Sequence, residues 1–79
     1  MEEHYYIVTN GEDRNFVFTH VVSFKPLITP SVVEVTKERF IKDMDRLDFM
    51  VWFNDIGKTC FGLNDLKEQV LIFKLSGMQ

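Results

Sequence analysis

The chain has 79 residues, a net charge of -3 and one cysteine. Cys60, His4 and His20 are too few ligands for a four-ligand zinc cage, and a lone cysteine excludes an internal disulfide. The longest apolar run, Phe49-Met50-Val51-Trp52-Phe53, falls far short of the roughly 20 residues that a membrane span needs, and the acidic start Met1-Glu2-Glu3 does not resemble a secretory signal.

A lone cysteine suits a reducing, cytoplasmic setting. The length suits one complete domain over residues 1–79. A chain this short buries only about 60% of the surface exposed by its unfolded form. Yet 46% of its residues are apolar and eight are phenylalanine. Apolar material that cannot be buried marks an interaction surface. A partner chain is therefore expected, either a second copy in a homodimer or another protein. The acidic excess lies in residues 1–24, where Glu2, Glu3, Glu12 and Asp13 face Arg14 alone. That distribution argues against nucleic acid, whose phosphates want clustered Lys and Arg.

In chain order, His4 to Thr9 is rich in aromatic and β-branched residues and reads as a strand. Asn10-Gly11 is a hairpin signal. Residues 15–24 return, with Phe16, Phe18, His20, Val22 and Phe24 on one face and Val17, Thr19, Val21 and Ser23 on the other. Pro26 and Pro30 keep the next segment irregular. Val32 to Val35 reads as a short strand; a helix opened by a Ser31/Glu34 capping box is the alternative. Residues 37–47 form an amphipathic helix through Phe40, Ile41, Met44 and Leu47, capped by Thr36.

From Phe49 the period changes to two. Residues 49–53 form a strand with apolar residues on both faces, 54–57 a turn and 58–63 the returning strand. Asn64-Asp65 signals another turn. Residues 69–75, with Leu71, Phe73 and Leu75 alternating, read as a last strand; a helix capped by Asn64 and stopped by Gly77 is the alternative. The expected fold is α+β: a small antiparallel sheet of about five or six strands, β-β-(β)-α-β-β-β, with one helix on one face. Val17, Val21, Met50 and Trp52 on the other face then have no helix to cover them.

The chemistry-bearing residues are sparse. Gly57-Lys58-Thr59 resembles the end of a phosphate loop, but Trp52 stands where its first glycine belongs. Cys60 and His20 lack a third group to orient them as nucleophile and base. Asp43 and Asp45 on a helix point about 200° apart and cannot share an ion with Asp48. His20 among phenylalanines reads as a half-buried, hydrogen-bonded filler, with a pH switch as the alternative. No catalytic residue, cofactor or metal site is assigned.

The expected function is a small non-catalytic protein-binding module, of the kind phages and mobile elements encode to inhibit or adapt host proteins. Its candidate contact residues are Trp52, Met50, Tyr5 and Tyr6, since aromatics and Met are enriched at interfaces. One alternative is a dimeric nucleic-acid-binding regulator in which Lys25, Lys58, Lys67 and Lys74 converge. The other is a small Cys60/His20 enzyme.

Overall fold

The computed structural model describes residues 2–46 and 49–77. Strand β1 (His4–Thr9) pairs antiparallel with β2 (Val17–Ser23). The loop between them turns at Gly11, whose φ is +86°, and the Asn10 side chain accepts hydrogen bonds from the amides of Glu12 and Asp13. This is the hairpin that Asn10-Gly11 predicts, built on a left-handed glycine and an Asx turn.

The prolines carry the chain across β1 to β3 (Val32–Glu34), so the short-strand reading of this segment holds. Helix α1 (Lys37–Met44) follows, with the Thr36 hydroxyl accepting from the Arg39 amide at 3.2 Å as an N-cap. It stops at Met44, short of the expected 47, with Asp45 as its C-cap and the Asp45 amide closing the last turn on the Ile41 carbonyl; Leu47 and Asp48 lie outside the described residues. Strands β4 (Met50–Phe53) and β5 (Lys58–Phe61) form a second hairpin, and helix α2 (Leu63–Gly77) ends the described chain. The five strands lie in the order β3-β1-β2-β4-β5.

The fold is α+β, with three corrections to its expected detail. Residues 69–75 are not a strand; they belong to α2, which runs through Asn64-Asp65 without a turn. The inward side chains Leu63, Leu66, Val70 and Phe73 recur at helical spacing, and packing on the sheet decides for the helix. There are accordingly two helices rather than one. The sheet is also mixed rather than antiparallel, because β2 and β4 pair in parallel. A parallel neighbour requires a crossover connection, and the segment carrying β3 and α1 supplies it.

Both helices lie on the same face of the sheet. Val22, Val51 and Phe53 from the strands meet Phe40 and Met44 from α1 and Leu66 from α2 in one buried cluster. Phe73 of α2 stacks on Phe24 with ring centroids 4.5 Å apart. Each fully buried side chain of this size contributes about 1.5–3 kcal/mol. The opposite, outer face has no helix, and the segment after Phe24, residues 25–31, covers one end of it. There the Tyr6 hydroxyl accepts a hydrogen bond from the Leu27 amide at 3.0 Å, and Tyr6 and Val21 are buried.

Candidate functional site

The uncovered end of the outer face belongs to β4 and β5. Strand alternation sends Val51 and Phe53 inward and leaves Met50 and Trp52 outside. The hairpin register sets Met50 opposite Phe61 and Trp52 opposite Thr59, while Val21 of β2 flanks Trp52. Directly opposed side chains in such a pair stand about 5 Å apart at Cβ. Met50, Trp52 and Phe61 thus make one contiguous apolar surface, with 53%, 40% and 64% of their area exposed.

Local backbone chemistry holds this surface in place. The β4–β5 turn closes at Gly57, with φ +63°, beneath the Trp52 indole; a Cβ there would touch the ring at 3.7 Å. The apparent phosphate-loop residues are therefore a hairpin turn packed on an aromatic ring. Strand β5 is an edge strand. Its Phe61 amide donates to Asp65 Oδ2 at 3.3 Å, so the first turn of α2 satisfies one edge donor.

The four residues expected to contact a partner do not share one surface. Trp52 and Met50 lie together on the outer face. Tyr6 shares that face but is 2% exposed beneath Leu27. Tyr5 lies on the inner face, half-buried against Phe40 at a centroid distance of 4.9 Å, and lines a groove between the helices. Phe61 joins the patch and was not singled out from the sequence. Its signal was its place opposite Met50 across a short turn.

His20 is buried on the inner face, edge-on to Phe40 and Phe49. Its Nε2 lies 2.9 Å from Asp43 Oδ2, with Arg39 Nε 4.0 Å from the same oxygen. Asp43 therefore faces the sheet as a hydrogen-bond partner of His20. Burial lowers the His20 pKa below its ordinary value, partly offset by Asp43 pulling it up.

Cys60 lies in the same row, on the far side of Val51. Two strand spacings put the His20 and Cys60 backbones about 10 Å apart. Burial and the Asp65 charge push the thiol pKa up, against a smaller downward pull from Lys58. The pair lacks the contact that nucleophilic catalysis uses, and burial disfavours the thiolate. Asp45 is exposed and Asp48 lies outside the described residues. Among the described residues no three His, Cys, Asp or Glu side chains are grouped to hold a metal ion, and no helix is long and apolar enough to cross a membrane. Of the four lysines that a nucleic-acid surface would gather, Lys67 and Lys74 line one groove, and Lys25 and Lys58 do not line it.

No protein-family model, curated protein or solved structure matches the chain.

Proposed function

We propose that the chain is a non-catalytic binding module that docks the outer face of β4 and β5 onto another polypeptide. The observation that carries this reading is the contiguous exposure of Met50, Trp52 and Phe61 on a sheet face that neither helix covers. Trp and Met are interface-enriched side chains, and Trp is a common hot spot. A short hairpin holds all three, so docking needs little ordering of the free chain. Such a module acts by occupying or bridging its partner, as an inhibitor or an adaptor.

A photo-crosslinking amino acid at position 61, compared with the same group at exposed Glu12 in the β1–β2 loop, tests this in a nuclease-treated lysate. A discrete protein adduct from position 61 and none from position 12 is expected. Equal labelling from both positions, or labelling at 61 that disappears with nuclease, contradicts it.

A further inference from the structure

The two helices share the inner face without closing over it. Between them runs an open groove of about 280 Å³. Tyr5, Leu66 and Val70 form its floor, and Ile41 of α1 and Leu71 of α2 form its walls. Leu71 is 58% exposed, and Leu75, one helical turn further, is 60% exposed. An exposed apolar stripe along α2 therefore continues from the groove wall at Leu71 to Leu75, which lies outside the lining.

The rim has a definite charge. Lys37 of α1 and Lys67 and Lys74 of α2 line the groove, half of the six lysines in a chain whose net charge is -3. The acid among the lining residues is Glu3, already in an ion pair with Lys74. Lys37, which also feels the Glu3 charge, and Lys67 form no ion pair within 4.0 Å among the described residues; both are exposed, one on each helix bordering the apolar furrow.

We infer that this groove is a second docking site whose occupant is an acidic amphipathic helix of another protein. Apolar side chains at i, i+4 and i+7 would enter between Ile41 and Leu71, and flanking carboxylates would meet Lys37 and Lys67. The charge selects an acidic partner. The exposed stripe that continues from Leu71 to Leu75 selects an extended polypeptide over a small amphiphile. From Leu63 to Lys74 the α2 wall is about 16 Å long, room for some three turns of helix. The apolar floor does not suit a phosphate backbone, which wants cations throughout. This site uses different residues from the Trp52 patch, on the opposite face of the sheet, and stands independently of it.

The test is fluorescence anisotropy with two labelled helical peptides of about 18 residues, five turns. Both carry leucine at i, i+4, i+7 and i+11, with flanks of glutamate in one and lysine in the other. The glutamate peptide should saturate the full chain, bind more weakly as salt rises, and lose about tenfold in affinity on combined Lys37→Glu and Lys67→Glu substitution. Leu71→Ser should weaken it, and Trp52→Ala should leave it unchanged. The substituted groove side chains are exposed, and circular dichroism verifies each fold. Equal binding of the two peptides, no saturation by about 1 mM, or indifference to Leu71→Ser overturns the inference. So does binding of dodecanoate without binding of the glutamate peptide, which would make the groove a carboxylate-lipid site.

Discussion

On the inner face of the sheet Phe40, Val51 and Phe53 have no exposed surface, whereas on the outer face Met50, Trp52 and Phe61 keep 53%, 40% and 64% of theirs. The side chains are chemically alike. They even alternate along a single strand, with Val51 and Phe53 inward and Met50 and Trp52 outward. What differs is the cover, since both helices went to one side. The hydrophobic term that holds this chain together is concentrated where α1 and α2 meet the sheet. Met50, Trp52 and Phe61, each at least 40% exposed, add less to it. A one-residue slip of β4 would exchange the two sets, so the pairing of β4 with β2 and β5 fixes which side chains are buried and which are exposed.

The largest effect that can break this comparison is Phe40→Ala. Truncating that fully buried ring should cost about 3–5 kcal/mol, a large part of the stability of so small a domain. Urea unfolding followed by circular dichroism checks it; a loss under about 1 kcal/mol would place the core elsewhere.

Trp52→Ala should do the opposite. It should lower partner affinity by about 2 kcal/mol or more and cost less than about 1 kcal/mol in stability. The affinity is read by titration with the crosslinked partner.

The third effect depends on pH. Unfolded His20 takes up a proton near pH 6.5, while the buried native ring, its pKa lowered, takes it up only at lower pH. The unfolded state therefore binds more protons in that window, and stability falls as pH drops below about 6.5 until the native ring is also protonated. Thermal melts across pH 4–7 should show the decline. Asp43→Asn, which removes the upward pull on His20, should steepen it, and His20→Gln should flatten it; identical slopes in all three would remove His20 from the clamp between β2 and α1.

The smallest effect is Glu3→Gln. It should cost at most about 1 kcal/mol, because Lys74 is partly exposed and the pair is screened by salt. A loss that persists in molar salt would show the Glu3–Lys74 contact to be packing rather than charge.

Much of this arrangement could be read from local chemistry. Asn10-Gly11, the Thr36 cap and the period-two pattern around Val51 each specify a structure within a few residues, and each forms. The last helix was harder to read. Leu71, Phe73 and Leu75 alternate like a strand, and Asn64-Asp65 looks like a turn. The deciding spacing, Leu63, Leu66, Val70 and Phe73, begins before that apparent turn. Asp65 is instead an acceptor for the Phe61 amide. The parallel pairing of β2 with β4 has no local signature, since it follows from the path of a crossover over residues 24–49.

The candidate surface was half legible. Alternation groups Met50 with Trp52 but does not say whether their face is covered. It does say that Tyr5 and Tyr6, adjacent in one strand, point to opposite faces and cannot both touch one flat partner.

The division between the two faces is tested most directly by measuring unfolding and partner binding on the same Trp52→Ala protein, with Phe53→Ala as its inward neighbour. Trp52→Ala should bind at least tenfold more weakly while its urea midpoint stays close to the unsubstituted chain. Phe53→Ala should lower the midpoint sharply and lose binding only as it unfolds. Equal losses of stability and affinity in Trp52→Ala, or a loss of stability alone, would make Trp52 part of the core and contradict the assignment of the outer face to binding.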